Sequence, residues 1–222
     1  MASAFYAANW DITVPLKLLL KSDHFFDALN MGCQIKSPVD YSISILREFN
    51  IPINSSDPTP NYDAWYTVYG VMASFQQSIG DPPNVAGWPA YYQDPIYYEV
   101  WVNTDTLPKR AQLVDTLTAS NYGLIPGIDV IAYADAMSNP SDPNVLVSDA
   151  LKYLLRIDLS QVNKDYIKTN FLLSGQTNDI YWTQAWNLFN ADRTNAANKA
   201  VVKSRLASMI KYIVDLAEYQ LA

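Results

Sequence analysis

Histidine and cysteine are nearly missing from this chain: His24 and Cys33 are its only examples among 222 residues. A lone cysteine excludes an intrachain disulfide. Cys33 reads as a small buried apolar residue, with a reactive thiol as the minor alternative. A Ser-His-Asp triad or a histidine-based metal site would have to be built around His24. That residue lies between Asp23 and Phe25 on a helical segment, where a side chain packed at the surface is the simpler reading. The chain has no Gly-x-Ser-x-Gly elbow, no phosphate loop, no Gly-x-Gly-x-x-Gly and no Cys-x-x-Cys. Leu173-Ser174-Gly175-Gln176 imitates a nucleophile word but sits where a helix should stop. Neither a metal site nor a cofactor is expected.

Runs of one character are missing too. The 15 Lys and Arg residues form no cluster and face 22 acidic ones, for a net charge of −7. Phosphate backbones reward clustered cations, so binding to nucleic acid or docking on an anionic membrane is disfavoured. No segment approaches the roughly 18 apolar residues of a membrane span. Residues 1–14 lack the basic start and apolar middle of a signal peptide and read as entry into a helix, as if cut from a longer protein. What remains is a globular composition, 50% hydrophobic and 17% charged, able to bury one substantial core or two small ones packed together.

The hydrophobic pattern is helical almost throughout. Over 12–29, Leu16, Leu19, Leu20, Phe25, Phe26 and Leu29 recur at helical spacing on one face, which predicts an amphipathic helix or helix pair with a break near Ser22. Ser37-Pro38-Val39-Asp40 combines an N-cap, a first-turn proline and an acid at the positive end of the dipole. It predicts a helix over 38–50 that buries Tyr41, Ile45, Leu46 and Phe49. Residues 51–60 form a Pro- and Ser-rich loop carrying a weak glycosylation match at Asn54-Ser55-Ser56. A helix over 61–79 would bury Trp65, Val68, Met72, Phe75 and Ile79 and end at Gly80.

Further helices are expected over 107–120 (capped by Asp105 or Thr106), 128–137, from Ser141-Asp142-Pro143 onward, 160–173, 180–190 and 195–221. Trp182 and Trp186, four apart, read as core. Only 97–102 resembles a strand. The fold class is all-α, an irregular globule of eight to ten helices with one long Pro/Gly/aromatic loop. The expected organisation is a single helical domain over 1–222, with 138–144 the one candidate boundary.

That loop, within residues 81–110, gathers Trp88, Tyr91, Tyr92, Tyr97, Tyr98 and Trp101. Gly87-Trp88-Pro89 reads as a latch, in which the glycine permits a turn and the indole plugs a gap between helices. Asn84 and Asn103 would satisfy loop backbone that helices leave unpaired. Arg110 would fork onto a loop carboxylate or carbonyl. The tyrosines have no regular periodicity, and their flat faces and polar tips suit sugar rings or protein surfaces. Asp81, Asp94, Glu99 and Asp105 lie within or beside the loop. They keep open a glycosidase-like pair of carboxyl groups about 5–10 Å apart.

Four ordered words over residues 5–120 resemble a bacterial family known only as domain of unknown function 1800. They are DITVPLKLLLKSDHFF, IKSPVDYSISILREF, PPNVAGWP and WVNTDTLPKRAQL. Residues 169–189 resemble the longer C-terminal extension of some members. The resemblance implies no reaction. It does imply that an N-terminal half found in family members is absent here, and that the protein works in the periplasm or at the cell surface. The reading is a non-catalytic module that binds or assembles through the tyrosine-rich loop, its partner carbohydrate or the missing N-terminal half. The alternative is a hydrolase acting on polysaccharide.

Overall fold

The structure is a computed structural model describing residues 1–53, 56–85, 87–88 and 98–222. Tyr91, Tyr92, Asp94, Tyr97 and the sequon residues Asn54 and Ser55 lie outside the described residues. The chain divides into two compact units, Met1–Cys33 and Gln34–Ala222. Among the described residues there are ten α-helices and no strand, so the protein is all-α.

The first unit carries α1 (Ala2–Ala7) and α2 (Thr13–Leu20). Phe5 and Tyr6 meet the Trp10 ring edge-on, at 5.3 and 4.6 Å between centroids. The break near Ser22 is present, and the Ser22 hydroxyl donates to the Leu19 carbonyl at 2.7 Å. No second helix follows it, only turns and a 3-10 turn at Ala28–Asn30. Leu16, Leu20, Phe25, Phe26 and Leu29 are exposed rather than buried, Leu29 to 84%. Cys33 is exposed as well, which corrects the buried reading. A unit this short has too little volume to cover its own apolar side chains.

The second unit is built on α10 (Ala196–Asp215), which packs against α5 (Thr106–Ala119), α6 (Val130–Asp135), α7 (Pro143–Leu154) and α9 (Ile180–Ala191). Its Val202, Leu206, Met209, Ile210, Ile213 and Val214 form the central apolar stripe. The helix stops at Asp215 rather than running to 221. Leu216 turns extended, and a 3-10 turn at Ala217–Gln220 carries Tyr219 and Gln220 inward.

Caps decide the other starts. Ser37 accepts from Asp40 N ahead of α3 (Pro38–Glu48), and Asp142 caps α7 (Pro143–Leu154). Asp57 caps α4 (Pro58–Ser74), which starts and ends earlier than its pattern suggests. Gln76, at φ 74°, takes the left-handed conformation, while the Gln77 amide donates back to Met72 O at 3.0 Å. Gly80 therefore lies beyond the helix end. The face of α4 turned to the core holds Ala64, Val68, Val71 and Met72, followed by Phe75. Trp65 is 46% exposed and Ile79 51%, against the expectation that both are buried. A step of one residue turns a helix by about 100°, so Trp65 falls beside the buried stripe instead of on it.

The remaining elements are α5 (Thr106–Ala119), α6 (Val130–Asp135), α8 (Gln161–Ile167) and α9 (Ile180–Ala191). A π-helical turn over Lys168–Leu172 continues α8. Trp182 and Trp186 of α9 are buried. Residues 138–144 lie inside this unit, tied to α9 by the Trp182 indole on Pro140 O and the Thr183 hydroxyl on Ser141 O, both 2.8 Å. Of the strand candidate, the described part is a 3-10 turn at Glu99–Trp101. No described helix is long and apolar enough to cross a membrane.

Candidate functional site: a buried polar clasp and the cavity beside it

Of residues 81–110, the structure describes 81–85, 87–88 and 98–110. Gly87 sits at φ 89° and donates to Asn84 O at 2.9 Å. Trp88 and Tyr98 are half-buried, while Trp101 is 9% exposed and belongs to the core. Neither Asp105 nor Thr106 caps α5 with its side chain. Asn103 does: its Oδ1 accepts from Asp105 N and Thr106 N, both at 2.9 Å, and its Nδ2 donates to Gln76 Oε1 at 3.2 Å. One amide thus closes the start of α5 and reaches the chain just past α4.

Arg110, one turn into α5, has no solvent exposure. Its Nη2 donates to the carbonyls of Lys36 and Trp101, at 3.0 and 3.2 Å, and its Nη1 donates to Gln220 Oε1 at 3.2 Å. The guanidinium lies 4.8 Å from the centre of the Tyr41 ring, and the Tyr41 hydroxyl returns to Arg110 O at 3.2 Å. Burial pulls the Arg110 pKa down to about 10, still above neutral pH, so the group stays charged. Three chain regions meet on this one side chain: the start of α3, the loop end at Trp101, and the C-terminal turn.

The third region is held by backbone as well. Lys36 N donates to Gln220 O at 2.7 Å and Ala222 N to Gln34 O at 2.8 Å. Lys36 is 2% exposed, and its Nζ sits 3.8 Å from the centre of the Tyr219 ring with no hydrogen-bond partner among the described residues. Burial lowers its pKa to about 8, with Glu48 opposing. The Tyr219 hydroxyl donates to Glu48 Oε2 at 2.7 Å, and Arg156 Nη2 stands 3.7 Å from Glu48 Oε1. Burial raises the Glu48 pKa, while the Tyr219 bond, Lys36 and Arg156 hold it down.

Glu48 also lines a cavity of about 400 Å³ between the end of α3, the stretch from 127 to α6, and α7. Phe49, Ile51, Met137, Tyr133 and Tyr153 supply much of its apolar wall. The Phe49 and Tyr133 rings pack 5.0 Å apart. Two polar atoms of wall residues are buried without a hydrogen bond, Glu48 Oε1 and the Tyr133 hydroxyl.

The other candidates do not converge. Asp105 is paired with Lys109 at 2.7 Å and accepts from Gln76. Asp81, Glu99 and His24 are exposed, and Ser174 occupies a left-handed turn beside Gly175 at the end of the π-helical segment. No group of three or more His, Cys, Asp or Glu is placed to hold a metal among the described residues. Sequence reasoning passed over Lys36, Glu48, Tyr133, Tyr219 and Gln220. For Glu48 a signal existed: with Tyr41 and Ile45 it continues the i, i+4, i+7 spacing of the buried face of α3. It also passed over a face of α4 on which Tyr62 and Tyr66 are each 75% exposed, next to Trp65, with Tyr66 stacked on Tyr69 at 6.0 Å.

Fold and site together define an all-α protein whose signature words fasten a buried polar clasp. The model of a family described as a protein of unknown function, DUF1800, matches residues 1–221, and the chain belongs to that family. No curated protein and no solved structure matches it.

Proposed function

We propose that this protein is a non-catalytic module that works by binding or assembly through aromatic side chains, at the periplasmic side or cell surface. The contact residues are Trp88, Tyr91, Tyr92, Tyr97 and Tyr98, joined by Tyr62, Trp65 and Tyr66 of α4. Trp101 anchors the loop from the core rather than touching a partner. The observation that carries the reading is the α4 face. Three large aromatics at i, i+3 and i+4 stand in solvent on a helix whose opposite face is fully used in the core. An isolated exposed aromatic needs no explanation, but a patch of them marks an interaction site. Rigid rings with polar tips suit sugar faces and protein surfaces alike.

The test is a tryptophan-fluorescence titration of the full chain with soluble cello-, xylo- and chito-oligosaccharides, run beside sedimentation analysis for self-association. The reading expects a saturable change with one glycan class or a concentration-dependent oligomer. Either should be lost in Tyr62→Ala/Tyr66→Ala or Tyr97→Ala/Tyr98→Ala. A monomer that ignores every glycan contradicts it. The cellular placement rests on the family resemblance and is tested separately by fractionation.

A further inference from the structure

Independently of the aromatic surface, we propose that residues 216–221 are a two-state strap. In one state they dock as in this structure; in the other they leave the core and continue α10 as a single helix. The local sequence favours the second arrangement. From Ala196 to Ala222 there is no glycine or proline, and Leu216, Ala217, Glu218 and Gln220 are all good helix formers. In a continued helix Ala217 and Leu221 would follow Ile210 and Val214 on the same apolar stripe. The fold overrides this preference. Leu216 turns extended, at φ −61° and ψ 146°, and the chain bends inward as the 3-10 turn before Leu221 extends again. A segment whose local preference contradicts its tertiary setting is where a second state lies close in energy.

Hydrogen bonding keeps the two states close. In the docked state Gln220 Nε2 donates to Val214 O at 3.1 Å, a carbonyl that the Glu218 amide would take in a continued helix. Docking gains the burial of Tyr219, the backbone pairing with Gln34 and Lys36, and the bonds to Glu48 and Arg110. Against this, Lys36 Nζ, Glu48 Oε1 and Arg110 Nε stay buried without a hydrogen bond among the described residues, and such atoms are costly. Lifting the strap removes the ring that covers Lys36 Nζ and the partners of Glu48 Oε2 and Arg110 Nη1. The open state therefore bares one charged seat made of Lys36, Glu48 and Arg110.

The experiment follows native-state hydrogen exchange and Cα chemical shifts in the full isotope-labelled chain. In the parent, the Lys36 amide is bonded to Gln220 O and reports docking. It should be protected at least about tenfold less than the amides of 206–213, because the strap opens without unfolding α10. Ala217→Pro suits the first position of the 3-10 turn, after the extended Leu216, but cannot donate as a continued helix requires. It should raise Lys36 protection at least about tenfold, more than the roughly fivefold that proline gives by stiffening an unfolded segment. Tyr219→Ala/Gln220→Ala removes the docking side chains and favours helix. It should lower Lys36 protection by at least about a hundredfold and move the Leu216 and Leu221 Cα shifts from extended to helical values. Lys36 protection equal to that of 206–213, an effect of Ala217→Pro of fivefold or less, or coil values at Leu216 in the double variant would each overturn the proposal. If the double variant does not fold, the parent and Ala217→Pro still decide it.

Discussion

The hydroxyl of Tyr219 donates to Glu48 at 2.7 Å across a separation of 171 residues. Its ring meanwhile lies under the ammonium of Lys36. The C-terminal turn is therefore a working part of the core. It closes over a cation and an anion that α3 and its approach bring inward. Arg110 secures the same turn from the other side through Gln220, so the family words at 36–38 and 101–110 meet on the last residues of the chain.

Removing Arg110 should be among the costliest changes in the protein. Arg110→Ala strands two buried acceptors, Lys36 O and Gln220 Oε1, leaves Trp101 O with the Thr106 hydroxyl alone, and opens a void. The expected loss is about 3–5 kcal/mol, read from urea unfolding. Arg110→Lys should rescue little of it, because a single ammonium cannot span the three acceptors as the planar guanidinium does.

Asn103→Ala should cost about 1–2 kcal/mol, the worth of a helix cap. It removes the acceptor for Asp105 N and Thr106 N and the link to Gln76. Asp105→Asn, which touches no cap, should change the urea midpoint much less.

Stability should rise between about pH 8 and the ordinary lysine range, and the rise belongs to Lys36. Its pKa in the fold lies below its unfolded value. Through that interval the unfolded chain holds a proton the native state has released, so raising the pH favours the native state. Glu48 acts in the opposite sense in acid. Its raised pKa gives stability at low pH that is lost as pH climbs through the folded value. Above about pH 10 the unfolded tyrosines ionise while buried Tyr41, Tyr133 and Tyr219 resist, and stability falls again. Lys36→Met should flatten the rise above pH 8 and leave the alkaline fall, as followed by urea midpoints across the series.

The two kinds of aromatic residue should separate cleanly by mutation. Trp182→Ala empties a fully buried site and should cost about 3–5 kcal/mol. Tyr66→Ala, on the exposed face of α4, should stay within about 0.5 kcal/mol of the parent.

Much of the helix framework could be read locally, because caps and first-turn prolines are local. Ser37-Pro38 and Asp142-Pro143 mark their helices correctly. Asp57-Pro58 carries the same signal, but the Pro- and Ser-rich surroundings disguise it as loop. The end of α4 was not legible, since it depends on Gln76 entering a conformation that glycine usually takes, while Gly80 lies four residues on. Trp65 shows how narrow a periodicity argument is: one step round the helix moves an indole from core to solvent. The clasp was the least legible feature. Lys36, Glu48 and Arg110 look like surface residues by type, and what holds them inside is Tyr219 and Gln220, more than a hundred residues away. The fork of Arg110 onto a loop carbonyl is legible from its chemistry and is present at Trp101 O, whereas nothing in the sequence points to Lys36 or to the meeting of the two.

The central claim is that the signature words hold the fold while exposed aromatics make the contact. It is tested most directly by measuring partner binding in Tyr62→Ala/Tyr66→Ala by isothermal titration, using whichever glycan or self-association the parent chain displays. The account predicts at least about a tenfold loss of affinity, the worth of one or two ring contacts, with the urea midpoint unchanged. Binding equal to that of the parent, in a variant that remains folded, would contradict it.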